Sequence, residues 1–134
     1  MKYLKLSPEY QCSPLWASLD GNFYENLAID TSHFDEALKE RIFNWAKVFE
    51  DTLNQDYPPD SGFETTKEEE EFEQIGFDIW EYINQRYPNL YDVIFFNSYT
   101  LKKLYSNVLE YKKDLKLFPD EAPPDLPKAA VKKK

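Results

Sequence analysis

The fold is decided by the stretch TTKEEEEFEQIGFDIWEYINQRYP, residues 65–88. Each of its two threonines has a glutamate three residues later, which is the pattern of a capping box at the start of a helix. Apolar positions then recur at helical spacing until Pro88 ends the pattern; they are Phe72, Ile75, Gly76, Ile79, Trp80, Ile83 and Tyr87. We therefore predict a long amphipathic helix over about residues 65–87, with these positions facing the core.

A second amphipathic run precedes this stretch. Thr31 or Ser32 can cap a helix, and the acidic residues Asp35 and Glu36 suit its first turn because the helix dipole favours negative charge there. The apolar positions that follow are Phe34, Leu38, Ile42, Trp45, Ala46, Phe49 and Leu53. Two prolines come soon afterwards, so the pattern predicts a partner helix over about residues 32–54.

Strand patterns flank the two helices. Residues 3–6 alternate between apolar and polar, and residues 90–96 are rich in β-branched and aromatic side chains, so both are predicted to be strands that pair in a small sheet. Leu15 and Trp16 lie between turn signals, in a loop or in a second short strand. The helical spacing of Leu101, Leu104, Tyr105, Val108 and Leu109 favours a third helix after residue 101.

The expected fold class is therefore α+β, with two long antiparallel helices packed on a small β-sheet. A chain of 134 residues is the usual size of one domain. We predict a single α+β domain over residues 1–118. Residues 119–134 contain four prolines without apolar periodicity and are expected to form a flexible tail.

The composition argues against an enzyme. Three glycines, one histidine and one cysteine leave no pattern for a phosphate loop, a metal cage or a catalytic pair. His33 is expected to be exposed or at a helix cap, and Cys12 is expected to be a small buried residue. We predict no catalytic residue, no metal and no cofactor.

The charge is concentrated in one segment. The net charge is −9, and residues 50–73 alone contain ten acidic residues and one lysine. A chain of this sign repels phosphate backbones and anionic membranes, so we expect no direct nucleic-acid or membrane partner. No apolar run of about 18 residues and no signal-peptide pattern occur, which predicts a cytoplasmic protein.

The same segment is the candidate partner-binding site. Tyr57 and Phe63 lie in a proline- and glycine-containing loop beside acidic residues, and aromatic anchors inside a charged rim are typical of interfaces. The predicted site consists of Asp56, Tyr57, Asp60, Phe63, Glu64, Glu68, Glu69 and Glu71. The alternative is that the acidic run is only a solvated helix end and that the rings of Tyr57 and Phe63 pack the loop against the helices.

Several of these residues are shared with a known group of proteins. The chain resembles a group of small acidic bacterial proteins in the following series of segments: Pro14-Leu15-Trp16, Leu38 to Trp45, Asp51 to Asn54, Asp56, Ser61-Gly62-Phe63, the acidic run, Phe72 and Gly76. That group is similar to the immunity proteins of bacterial toxin systems, including contact-dependent inhibition. The resemblance covers about residues 3–96 and implies a protein that binds and neutralises a toxin.

The predicted function is therefore that of a non-enzymatic inhibitor of a protein partner. The partner implied is a basic toxin domain such as a nuclease, because a domain that binds phosphate carries the opposite charge to residues 50–73. The alternatives are a DNA-mimic inhibitor and a housekeeping adaptor whose charge serves solubility.

Overall fold

The computed structural model describes residues 2–117, so the predicted tail at residues 119–134 lies outside the described residues. The described chain is α+β, with five strands and three α-helices. In chain order these are β1 (Tyr3–Leu6), β2 (Leu15–Ser18), β3 (Glu25–Leu27), α1 (Glu36–Glu50), α2 (Thr66–Arg86), β4 (Asp92–Asn97), β5 (Lys103–Tyr105) and α3 (Val108–Leu117). Short 3-10 turns lie at Ile29–Thr31 and Pro58–Asp60.

The five strands form one mixed sheet in the order β3-β2-β1-β4-β5. The expected pairing of residues 3–6 with the later strand is confirmed, and this central pair is parallel, with Lys5 opposite Ile94. The other three pairs are antiparallel. The strand β3, in the region before α1, was not predicted, because its three residues are too few to show an alternating pattern.

The helices cover one face of the sheet. Trp80 of α2 stacks on Phe95 of β4 with ring centroids 5.4 Å apart, and its indole N–H donates to the carbonyl of Val93 at 3.1 Å. Tyr111 of α3 meets the same Phe95 ring edge-on at 5.6 Å. The core therefore lies between the helices and the strand residues that point towards them, among them Leu4, Leu6, Leu15 and Ala17.

The two long helices meet at a glycine. A Cβ on Gly76 would lie 2.6 Å from Cζ2 of Trp45 and 3.0 Å from the Phe95 ring, so only glycine allows this close approach. Trp45 stacks on Phe72 at 4.8 Å and donates its indole N–H to the Phe72 carbonyl at 2.9 Å. At the other end, the hydroxyl of Tyr87 donates to Asp35, so the start of α1 lies beside the end of α2.

The N-terminal boundary predicted for α1 is wrong. The helix is capped by Asp35, whose side chain accepts from the N–H of Leu38 at 2.8 Å. Ser32 instead donates to the carbonyl of Ile29 and closes the preceding 3-10 turn. The last turn tightens after Glu50, where Thr52 and Leu53 bond to carbonyls three residues back, so the helix does not continue to residue 54.

The segment after residue 101 also differs from its prediction. Residues 103–105 form the edge strand β5, which pairs with β4 through Phe95 and Tyr105, and the third helix begins only at Val108. Leu104 and Tyr105 fit helical spacing, but the neighbouring β4 edge offers backbone partners that a local pattern cannot reveal.

Two further expectations are wrong. Ile75 is exposed, and Phe77 is buried in its place. Cys12, expected to be buried, is exposed.

Candidate functional site

The acidic lobe, defined as residues 50–71, joins the end of α1 to the first turn of α2. Its loop is closed by a hydrogen bond from the N–H of Gly62 to the carbonyl of Thr52 at 3.1 Å. Gly62 has a φ of +139°, a backbone conformation that favours glycine. Thr52 also hydrogen-bonds the hydroxyl of Tyr10 at 2.6 Å, which ties the base of the lobe to the β1–β2 loop.

Side chains within the loop hold its backbone in place. The Oδ1 of Asn54 accepts from the N–H groups of Asp56 and Tyr57, both at 3.0 Å, which is an Asx turn. The hydroxyl of Ser61 accepts from the N–H of Asn54 at 2.7 Å. The loop between the helices is therefore a hydrogen-bonded turn with a fixed backbone, from which its charged and aromatic side chains extend.

The first turn of α2 is built as the sequence predicts. Thr65 is the N-cap, and its hydroxyl accepts from the N–H of Glu68 at 3.1 Å. The Glu68 carboxylate accepts from the N–H groups of Thr65 at 3.3 Å and Glu64 at 3.1 Å. Of the two possible capping boxes, the structure forms the one that starts at Thr65. Glu68 therefore stabilises the helix start in addition to supplying surface charge.

The eight predicted site residues all lie in this lobe by their position in the chain, and the structure exposes the two aromatics to different degrees. Tyr57 is 63% exposed, beside Asp56 and Asp60, which are exposed as well. Phe63 is half-buried, with its ring 5.2 Å from Phe72 and 5.5 Å from Tyr99. Glu64, Glu68 and Glu71 are exposed and Glu69 is half-buried. Tyr57 is thus the aromatic side chain that the lobe presents to solvent.

A buried carboxylate, Glu73, lies just beyond the lobe and was not singled out from the sequence. It is 5% exposed and accepts hydrogen bonds from the N–H groups of Tyr99 and Thr100 at 2.7 and 2.8 Å and from the Thr100 hydroxyl at 2.6 Å. Burial raises the pKa of Glu73, although these donors act in the opposite direction. The signal in the sequence was a glutamate inside the apolar stripe of α2, between Phe72 and Gly76.

A family model described as Serratia CdiI immunity protein-like matches residues 2–98, which is more than half of the chain. The chain belongs to this family. Among curated proteins, no match to the chain is found.

Membership of this CdiI immunity-like family implies a protein partner, namely a cognate toxin. Proteins of this kind are in general inhibitors that act by binding, not by catalysis. The match extends from β1 through β4 and includes the acidic lobe, whereas β5 and α3 lie after its last residue. The resemblance to immunity proteins drawn from the sequence is therefore confirmed.

Over residues 2–117, no group of three or more His, Cys, Asp or Glu side chains is arranged to hold a metal ion. In the same range, no helix combines the length and apolar character needed to cross a membrane. His33 and Cys12 are both exposed.

Proposed function

We propose that this chain neutralises a cognate toxin by binding it through the acidic lobe. The single observation that carries the proposal is that one hydrogen-bonded loop presents the exposed ring of Tyr57 within a rim of exposed carboxylates. Rim charges accelerate encounter with an oppositely charged partner, and a buried aromatic anchor slows its release. The predicted site contains both kinds of group.

The partner that fits this surface is a basic toxin domain, and a nuclease is the best example. A nuclease has to hold phosphate and therefore presents cationic surface, which an acidic lobe can cover. In this proposal the chain acts in the cytoplasm, without catalysis, a metal or a cofactor.

A DNA mimic would distribute its carboxylates along several elements, whereas ten of the 25 acidic residues here lie between residues 50 and 73.

The test is binding kinetics with a cognate toxin domain, to be sought among the genes beside this one, measured at two salt concentrations. The test variant replaces Asp60, Glu64 and Glu71 with Asn, Gln and Gln, because these carboxylates are exposed on the lobe. The matched control makes the same three changes at Asp30, Glu25 and Glu40, which are exposed elsewhere. We expect association to slow about tenfold, with a flatter salt dependence, only for the lobe variant.

Tyr57 is tested in the same experiment. We expect Tyr57→Ala to accelerate dissociation, with a cost of about 2 kcal/mol in binding free energy, because a buried aromatic anchor makes most of its contribution after docking. Phe43→Ala is the control, since Phe43 is an exposed aromatic on α1, outside the lobe.

The outcomes separate the competing functions. Equal association rates for the lobe variant and its matched control would mean that only net charge matters, and the lobe would then be a solvated helix end. Absence of any binding to the neighbouring toxin domain would favour the adaptor. Binding of the chain to the DNA-binding cleft of unrelated nucleases would favour the DNA mimic.

A further inference from the structure

The seam between α1 and α2 presents two apolar side chains to solvent. Val48 on α1 is 44% exposed and Ile75 on α2 is 46% exposed. Ile75 comes three residues after the buried Phe72 and four residues before the buried Ile79, so it lies at the margin of the core stripe of α2. Its spacing predicts a core residue, but the structure leaves almost half of its side chain uncovered.

The register of the two helices places these side chains at the same level. The guanidinium carbon of Arg41 on α1 is 5.3 Å from the centre of the Tyr82 ring on α2. Val48 follows Arg41 by seven residues and Ile75 precedes Tyr82 by seven, which is about two turns in each helix. Because the start of α1 lies beside the end of α2, both steps lead towards the acidic lobe. We call Val48 and Ile75 the apolar pair.

The surroundings of the apolar pair are acidic. Glu71 lies one turn before Ile75 and Asp78 one turn after it, and both carboxylates are exposed. On the side of α1, Asp51 forms an ion pair with Lys47 at 3.2 Å, so these two charges compensate each other. The apolar pair therefore lies within net negative charge.

The apolar pair also continues the surface of the acidic lobe. Glu71 is the last residue of the lobe and stands directly beside the pair, whereas the cations Arg41 and Lys67 are seven and eight residues away along their helices. Stable interfaces have an apolar centre inside a polar rim. The lobe supplies carboxylates and the exposed ring of Tyr57, and the apolar pair supplies the centre that such a rim surrounds.

The acidic surroundings decide between two kinds of occupant. A second copy of this chain, with its own charge of −9, would bring its Glu71 and Asp78 against the same carboxylates, and like charges repel. A basic partner with an apolar side chain at the centre of its contact surface meets opposite charge and an apolar site together. The cognate toxin implied by the family is such a partner when its surface is basic.

We infer that the apolar pair is the centre of the toxin-binding surface, where the toxin places a non-polar side chain against Val48 and Ile75 and basic side chains against Glu71 and Asp78. The inference rests on the proposed function and adds to it the contact that holds the complex after docking. Charges of the lobe set the rate of encounter, whereas apolar contacts at the centre of an interface set the rate of release.

The first test measures binding kinetics of the full chain with the same cognate toxin domain. We expect Ile75→Ala to accelerate dissociation about tenfold and to leave association and its salt dependence unchanged, because it removes apolar contact but no charge. Val48→Ala should act in the same direction. Leu104→Ala is the matched control, since Leu104 is also 46% exposed but lies on β5, and it should dissociate as the wild type does.

The second test locates the contact without relying on binding strength. Cys12→Ser removes the single cysteine of the chain, and Ile75→Cys or Leu104→Cys is then added to that variant. We expect bound toxin to slow maleimide labelling of the thiol at position 75 at least about tenfold and to leave labelling at position 104 unchanged. Circular dichroism checks that both variants keep the fold.

The outcomes separate this inference from the proposed function. If the lobe variant slows association but Ile75→Ala dissociates as Leu104→Ala does, or if toxin does not protect position 75, the proposed function stands and the inference is overturned. If Ile75→Ala accelerates dissociation and position 75 is protected while the lobe variant behaves as its control, the inference stands and the role of the lobe is wrong. Absence of binding to any cognate toxin domain overturns both.

Discussion

Glu73 is a buried carboxylate that accepts hydrogen bonds from the N–H of Tyr99 and from the N–H and hydroxyl of Thr100, just after β4. Next to it, the fully buried side chain of Asn97 accepts from the N–H of Leu101 at 2.7 Å and donates to the hydroxyl of Tyr111 at 3.0 Å. These two polar side chains fix the turn that reverses the chain into β5. Buried polar groups that are fully hydrogen-bonded in this way specify one arrangement of the chain.

The protonation of Glu73 makes stability depend on pH. Because burial raises its folded-state pKa above the ordinary 4.5, its contribution to the free energy of unfolding is fully present below that value and is lost as the pH rises through the raised pKa. Glu73→Gln removes this titration, because the amide does not ionise. The amide can still retain most of the hydrogen bonds. We therefore expect the melting temperature of the wild type, relative to the variant, to be higher at about pH 4.5 than at about pH 8.

Thermal unfolding followed by circular dichroism at several pH values measures this difference. Glu71→Gln is the control, because Glu71 is an exposed carboxylate two residues away, and the wild-type pH dependence should persist in that variant. If the difference between wild type and Glu73→Gln were the same at both pH values, the buried carboxylate would not be responsible.

At the scale of single elements, α2 shows how local chemistry sets a boundary. Thr65 and Glu68 satisfy each other's backbone N–H groups at the helix start, and Pro88 follows the C-cap Tyr87. The same capping box orients Glu64 and Glu68 on the acidic lobe. The start of α2 therefore stabilises the helix and also forms part of the proposed binding surface.

Loss of this cap should be measurable. We expect Thr65→Ala to lower the free energy of unfolding by about 1 kcal/mol, because the N–H of Glu68 loses its acceptor. Thr65→Ser retains the hydroxyl and should stay within about 0.5 kcal/mol of the wild type. Urea unfolding of the three proteins gives the comparison; equal losses for Ala and Ser would show that the methyl group of Thr65, rather than its cap, is what matters.

At the scale of the whole molecule, the core extends past the end of the family match at residue 98. Tyr111 of α3 is 2% exposed and stacks on Phe77 at 5.1 Å, with Trp80, Phe95 and Tyr105 around its edges. An ion pair between Lys112 and Glu81, at 3.5 Å, joins the same two helices at the surface. The C-terminal helix thus completes the core over α2 and β4.

This packing predicts a large effect for a residue outside the matched region. We expect Tyr111→Ala to lower the free energy of unfolding by about 3–5 kcal/mol, because it leaves a cavity beside four aromatic rings and removes the partner of Asn97. Leu109→Ala is the control on the same helix, since Leu109 is 76% exposed, and it should cost less than about 0.5 kcal/mol. Denaturant unfolding measures both, and a cost below about 1 kcal/mol for Tyr111→Ala would mean that α3 contributes little to the core.

Features with local causes can be predicted from the sequence. The start of α2 follows from a hydroxyl and a carboxylate three residues apart, its end from Pro88, and the position of the acidic lobe from the order of charges along the chain. The central strand pair could also be predicted, because residues 3–6 and 90–96 have strong strand patterns, and the observed strands are Tyr3–Leu6 and Asp92–Asn97. For the site, the sequence located the charged segment and its two aromatics, since loop composition and charge are properties of a short stretch.

Only the tertiary structure decided the features that depend on distant partners. Leu104 and Tyr105 form a strand because the free edge of β4 pairs with them, although their spacing fits a helix. Phe63 packs inward because Phe72 and Tyr99 offer it a ring-lined site, whereas Tyr57, six residues earlier, has none and stays exposed. Spacing along a chain specifies which side chains share a face, but the free energy of burial depends on what that face meets, and contacts between residues far apart in sequence settle that.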